Sequence, residues 1–376
     1  MGKVKERIQL NIAIMGAGLS GLACAITLEQ HGVTPTVLEK RGRVGDRFVN
    51  GEVLLSLLSR PIHDNIQYVS EQFHIYLQPL ASVQQMTIYS QNKTAVIEGF
   101  LGFTNLRGRV QGGFEAQLSR QLKTTIQFNS EQSYEQLLSD YTHVIMATGD
   151  ANYSKQVKNF RRDCTVSMKG ATVEGSFDKN SVKVWFDYDV APKGYGYLIP
   201  LSEREANIVI GCPDGASGVT YNMEQLWERF ITKVQQTYDS PLRVTDQFQF
   251  TEYPIGICQE ARIGNTFFVG NCFGSIMPFL GFGQFASILT GVYAAYDLLG
   301  MGKYEDLTKP LRQSYENSLV LRTSMEQLTN HHLDRIISLL NGYWGDKLFH
   351  SRNMDLLKIA SYLLRPYVKL KQGITT

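Results

Sequence analysis

The stretch from residue 8 to residue 39 constrains this chain more than any other. Residues 8–15 (IQLNIAIM) are an apolar, β-branched run of the kind that forms a strand buried on both faces. Gly16, Ala17, Gly18, Leu19, Ser20 and Gly21 follow. A helical pattern then places Leu22, Ala25, Ile26 and Leu28 on one side, stops at His31 and Gly32, and gives way to a second apolar strand, residues 36–39. A G-x-G-x-x-G run carries meaning only in this strand–turn–helix–strand setting. Gly16 permits the tight turn, Gly18 lets the backbone approach a pyrophosphate, and Gly21 lets the helix pack closely on the strand. The first turn of the helix, with Leu19 and Ser20, offers free N–H groups and a positive dipole to phosphates. Glu39, followed by Lys40, ends the second strand where a carboxylate can bind both ribose hydroxyls and repel a 2′-phosphate. The pattern predicts a dinucleotide of the FAD or NAD kind.

Composition narrows the class. The chain has 376 residues, suited to two packed domains or one domain with a large insertion. Hydrophobic residues at 43% and charged residues at 19% describe a globular protein with a large core. With 37 basic and 35 acidic residues and no concentrated basic segment, a nucleic-acid partner is not expected. Cys24, Cys164, Cys212, Cys258 and Cys272 are odd in number and lack C-x-x-C spacing, which predicts reduced thiols in a cytoplasmic protein. The basic residues Lys3, Lys5 and Arg7 precede no cleavage-site pattern, and no stretch approaches the roughly 18 apolar residues of a membrane span. The expectation is a soluble protein, at most attached to a membrane surface.

Three later segments favour FAD over NAD. Residues 141–150 form a buried strand ending in the turn Ala147, Thr148, Gly149. Residues 265–270 form another apolar strand, followed directly by Asn271. Pro278, Gly281 and Gly283 then lead into a long apolar helix starting at Gln284 and running to residue 299, with small residues for close packing. Its glycine-freed N-terminus would aim positive dipole at a reduced flavin. Together these motifs resemble the FAD-dependent oxidoreductases of the p-hydroxybenzoate hydroxylase superfamily, and within it the geranylgeranyl reductase group. That group has a Tyr-x-aromatic-x-aliphatic-Pro segment, matched here by Tyr195, Tyr197, Ile199 and Pro200, with Gly211 ending the next strand.

The resemblance covers residues 8–299 and implies FAD held by Gly16, Gly18, Leu19, Ser20, Gly21, Glu39, Lys40, Arg47, the Ala147–Thr148–Gly149 turn, Asn271, Pro278, Gly281, Gly283 and Gln284. Two departures stand out. The superfamily's aspartate is Asn271 here, which keeps hydrogen bonding without charge. The group's Cys-Gly-Glu becomes Asn50, Gly51, Glu52. The middle motif also echoes flavin halogenases, with tyrosines in place of their tryptophans.

The expected fold is α/β: a Rossmann-type FAD-binding domain (1–60, 100–155 and 262–305), an inserted antiparallel-sheet substrate domain (61–99 and 156–261) and a helical C-terminal region (306–376). The strand pattern at residues 182–187 belongs to the inserted sheet. No second G-x-G-x-x-G is present, so NAD(P)H would visit the flavin face transiently, or another electron donor would serve; a carrier protein holding the substrate is a further candidate partner. Tyr195 and Tyr197 share a face of a strand and are candidates for lining the flavin or donating a proton; Glu52 is a candidate acid, or a surface loop residue. The adjacent His331 and His332 point in different directions and predict no metal. The apolar, basic tail at residues 356–371 would pack on its own domain or lie on an anionic bilayer. Three functions stay open: a reductase of carbon–carbon double bonds in an apolar, isoprenoid-like substrate; a monooxygenase or halogenase-like enzyme acting on an aromatic or carrier-bound substrate; and a protein in which flavin is structural.

Overall fold

Short apolar runs closed by glycine turns build one sheet, and longer alternating runs build a second. The computed structural model describes residues 10–150, 152–214, 221–351 and 355–371. The basic residues Lys3, Lys5 and Arg7 lie outside these. In chain order come β1 (Ile12–Met15), α1 (Leu19–Gln30), β2 (Thr36–Leu38), β3 (Asn50–Leu55), α2 (Asn65–Phe73), β4 (Ala81–Tyr89), β5 (Thr94–Arg107) and α3 (Phe114–Ser119). Next are β6 (Ile126–Gln127), α4 (Tyr134–Asp140), β7 (His143–Met146), α5 (Asn152–Gln156), β8 (Phe160–Glu174), β9 (Ser181–Trp185), β10 (Tyr195–Pro200) and β11 (Glu205–Pro213). The remainder is α6 (Met223–Gln235), β12 (Arg243–Cys258), β13 (Arg262–Ile263), β14 (Thr266–Phe268), α7 (Gln284–Leu298), α8 (Tyr304–Glu326), α9 (Asn330–Leu340), α10 (Tyr343–His350) and α11 (Leu356–Lys371).

The six-stranded sheet has the order β13-β14-β7-β1-β2-β6 and is parallel apart from β13. Helices cover it, so Ile12, Ala13, Ile14, Val144, Ile145 and Met146 are all buried without alternation. Each large aliphatic side chain removed from water there contributes about 1.5–3 kcal/mol. This is the Rossmann-type unit. The eight-stranded sheet has the order β12-β8-β11-β10-β9-β4-β5-β3 and is antiparallel except for the β4–β9 pair. On one face α6 packs Leu226, Trp227, Phe230 and Val234 into a core with Ile208, Ile210 and Leu198. At its other end Ile337 of α9 and Phe349 of α10 join Val83, Ile88 and Ile97.

The expected domain boundaries need correction. β3 and β5, whose residues 50–55 and 100–107 were expected in the nucleotide domain, are strands of the eight-stranded sheet. They pair with each other over some fifty intervening positions, a partnership that local pattern does not reveal. Conversely α2, expected in the substrate domain, buries Val69 and Phe73 in the nucleotide core. α8 starts at Tyr304 and runs across the expected boundary at 305. β1 starts at Ile12, and the late strand is only Thr266–Phe268, after which a 3-10 turn, Gly270–Cys272, carries Asn271.

What sets the site is the crossing of α1 and α7. A Cβ on Gly291 would lie 2.0 Å from the Ser20 carbonyl oxygen, so the two backbones touch. On the other side of α1, a Cβ on Gly21 would lie 2.0 Å from the Gly16 carbonyl oxygen. α1 is thus clamped between its own entry turn and α7. Gly291→Ala should cost about 2–3 kcal/mol by urea denaturation, the overpacking range. A loss below about 0.5 kcal/mol would show that the crossing is looser than described.

Candidate functional site

A cleft of about 1700 Å³ runs between the two sheets. Gly16, Gly18, Glu39, Lys40 and Arg47 line one part of it, Ala147, Thr148, Gly149 and Asn271 the middle, and Pro278, Gly281, Gly283 and Gln284 the part at α7. Leu19, Ser20 and Gly21 do not line it; Ser20 and Gly21 are spent on the packing against α7 and the Gly16 turn. The opening glycine turn and the late proline–glycine bend, some 260 positions apart, therefore share one space.

The residues suit a dinucleotide. Neither α1 (N-cap Gly18) nor α7 (N-cap Gly283) has a side chain capping its N-terminus. A Cβ at Gly18 would meet no atom within 4 Å, so the backbone faces open cleft. Glu39 is held in place because its carboxylate accepts from the Ala17 and Arg41 N–H groups, both at 2.9 Å. Carboxylate lone pairs remain for ribose hydroxyls. Arg47 Nε, Asn50 Oδ1, Asn65 Oδ1, Glu115 Oε2 and Gln284 Oε1 are buried polar atoms of cleft-lining residues that have no protein partner.

The Gln284 oxygen is left without a partner by a chain of constraints. Asn105 Nδ2 donates to the Glu52 carbonyl oxygen at 3.2 Å, which leaves Asn105 Oδ1 facing Gln284. Gln284 Nε2 then donates to that oxygen at 3.0 Å and also to the Glu52 carboxylate. Both neighbours are acceptors, so the amide cannot flip. Its oxygen is left as a buried acceptor for a ligand N–H.

Glu52 is the anchor of this wall, not its acid. Arg47 Nη2 lies 2.9 Å and Arg107 Nη1 3.5 Å from its oxygens, and Asn50 Nδ2 donates at 3.2 Å. Burial pushes its pKa up, but Arg107, Arg47 and the Gln284 and Asn50 amides together hold it below the usual glutamate value. At neutral pH it has no proton to give, which corrects the expected acid role. Its environment also corrects the surface-loop alternative: Glu52 lies on β3 in the cleft wall. Arg107 is itself fixed by Glu115, Nε to Oε1 2.6 Å, with Glu115 buried.

Tyr195 and Tyr197 do share a face of β10, with ring centroids 6.1 Å apart, and both line the cleft. The Tyr195 hydroxyl donates to the Leu280 carbonyl oxygen, tying β10 to the bend before α7. Burial pushes both phenols up, Tyr197 well above its ordinary value, with Tyr195 and Glu52 adding and Arg47 and Asn50 opposing. Both phenols keep their protons.

Asn271 uses its amide differently from an aspartate. Nδ2 donates to the Gly149 carbonyl and to the Tyr253 hydroxyl, each at 2.9 Å, while Tyr253 also donates to Gly149. A carboxylate has no hydrogen to offer that carbonyl.

Sequence reading missed Arg107, Glu115, Asn105, Asn207 and Tyr253, which belong to no motif. Asn207 is buried, and its Oδ1 accepts from the Gly51 N–H, which fixes the strand carrying Glu52. His332 closes the first turn of α9, its Nδ1 accepting from the Thr329 N–H at 3.2 Å. No group of three or more His, Cys, Asp or Glu is placed to hold a metal among the described residues. The five cysteines are unpaired, and burial pushes the Cys212 and Cys258 thiols up to about 12.

Residues 14–63 match the family model of an NAD(P)-binding Rossmann-like domain. The digeranylgeranylglycerophospholipid reductase of Methanocaldococcus jannaschii is 23% identical over 176 residues, which cover 43% of this chain and 44% of that protein. The match thus spans less than half of the curated relative. In fold, a geranylgeranyl bacteriochlorophyll reductase-like protein from Thermoplasma acidophilum superposes with a TM-score of 0.73 at 15% identity, over 97% of this chain and 99% of that one. A flavin-dependent brominase superposes with a TM-score of 0.64 at 10% identity, over 97% and 100%.

Two outcomes test the wall. Glu52→Gln should destabilise the protein by about 1–3 kcal/mol in urea at pH 7. The Glu52 pKa is lowered on folding, so this contribution is present above the unfolded value, about 4.3, and fades as pH falls through the lower folded value. A penalty that stays unchanged in acid would contradict the ionised anchor. Asn271→Asp should cost the cofactor-free protein about 1–2 kcal/mol at neutral pH, because the Gly149 carbonyl loses a donor and faces a charge. Equal urea midpoints for variant and parent would refute it.

Proposed function

We propose that this chain, which has the fold of the FAD-dependent oxidoreductases, binds FAD along the cleft and reduces a carbon–carbon double bond in an apolar, isoprenoid-like substrate. One observation supports this best: two uncapped helix N-termini and a wall of half-buried tyrosines and aliphatic side chains face the same cleft. FAD, when bound, supplies the hydride chemistry that side chains lack. The Gly16–Gly18 backbone would hold the pyrophosphate and Glu39 the ribose, while α7 and Gln284 would hold the isoalloxazine. Beyond them, Tyr195, Tyr197 and Ile199 alternate toward the cleft from β10, and Met86, Val182 and Val184 add aliphatic surface. Such a wall suits a hydrocarbon chain and excludes water from it.

Saturating a double bond takes a hydride at one carbon and a proton at the other. Glu52 is anionic and the Tyr195 hydroxyl is committed to Leu280. Of the two β10 tyrosines, Tyr197 is then the one free to hold a proton toward the substrate, to be replaced from water after transfer. NAD(P)H, visiting the same face, or another reductant would reload the flavin.

The test starts from protein reconstituted with FAD and reduced anaerobically by dithionite. Adding a geranylgeranyl lipid should restore the oxidised flavin spectrum without oxygen, with a gain of two hydrogens per double bond by mass spectrometry. Tyr197→Phe should slow this by about 10²-fold or more while FAD affinity holds. Reoxidation that requires oxygen and an aromatic acceptor would favour the monooxygenase or halogenase-like reading. Flavin that neither dithionite nor NAD(P)H reduces would make it structural.

A further inference from the structure

We propose that the outward face of α11 docks the protein on an anionic lipid bilayer. The inference rests on the surface and does not depend on which reaction the cleft performs.

α11 carries two apolar stripes where a solvated helix carries one. The inner stripe is used: Leu357 packs against the core cluster of Ile337 and Phe349, and Ser361 and Val368 are buried. Arg365 secures the helix, Nη2 donating to Asn317 Oδ1 of α8 at 2.7 Å. The second stripe faces away. Ile359, Tyr362, Leu363 and Tyr367 recur at helical spacing and are exposed, Leu363 to 76%. Scattered exposed apolar residues need no explanation, but a periodic stripe of them does.

Charge chooses among the possible occupants. Residues 356–371 contain Lys358, Arg365, Lys369 and Lys371 and no acidic residue, in a chain whose net charge is only +2. A helix whose sequence mixes aliphatic and tyrosine residues with cations of one sign has the composition that suits the headgroup boundary of an anionic leaflet, where each nearby cation adds attraction. At 1.5 Å per residue the helix is about 24 Å long, shorter than the hydrocarbon core, so it lies along the interface. No helix among the described residues is long and apolar enough to cross a membrane. Leu357 and Lys358 also line the cleft, so the docked helix forms part of the wall that an apolar substrate would meet.

The full chain should co-sediment with vesicles of phosphatidylcholine mixed with phosphatidylglycerol, less with phosphatidylcholine alone, and less at high salt. Leu363→Asp should lower the partition coefficient on the order of tenfold, and Tyr362→Ser less. Circular dichroism melting confirms that each variant is folded; Leu363 is exposed enough to accept the change. Binding that is equal for parent and folded Leu363→Asp would overturn the proposal, as would no binding to anionic vesicles. A dimer by light scattering that Leu363→Asp turns into monomer would overturn it in favour of a second copy of the chain.

Discussion

The contact between the Ser20 carbonyl and the bare Cα of Gly291 decides where the two functional ends of this molecule can be. Helix axes usually pass 8–10 Å apart because side chains separate them. Here glycine removes that spacer at the crossing, and the same economy is repeated where Gly21 meets the Gly16 turn. Two N-termini widely separated in sequence are thereby brought to a single space. A nucleotide's phosphates and its distant ring system need such a pair of positive helix ends, and neither end closes itself with a side chain.

Opposite the helices, the cleft wall is organised by a charge that does no acid–base work. Glu52 sits among Arg47, Arg107 and two amides, and each partner loses freedom to it. Bringing a carboxylate out of water is unfavourable, and breaking one partner of such a group leaves another stranded. The return is orientation: the Gln284 amide is held with its oxygen as the atom left unpaired. A network of this type specifies direction more than it adds stability.

The nucleotide half was readable because its chemistry is local. Gly16, Gly18, Glu39 and the bend at Gly281–Gly283 announce themselves through turn geometry and through strands that pair in register within a short span. Tyr195 and Tyr197 were legible through the two-residue period of a strand. What stayed hidden was long-range. β3 finds β5, Asn207 reaches Gly51 across 156 positions, and Arg107 meets Glu52 only after the eight-stranded sheet has closed. Glu52 drew attention as a lone acid because its cations are invisible until the sheet forms. Asn271 looked like a weakened aspartate, yet its amide hydrogens are what the Gly149 carbonyl and Tyr253 require.

β12 pairs along β8 for most of its sixteen residues, joins the Gly149 turn through Tyr253, and ends where the Cys258 N–H donates to the Phe273 carbonyl at 2.9 Å. This long strand ties the larger sheet to two turns of the nucleotide half, at Gly149 and at Phe273, and so braces the one against the other. For the hydrocarbon substrate proposed above, such bracing would mean threading in lengthwise and backing out the same way, with chain length, more than headgroup bulk, governing turnover.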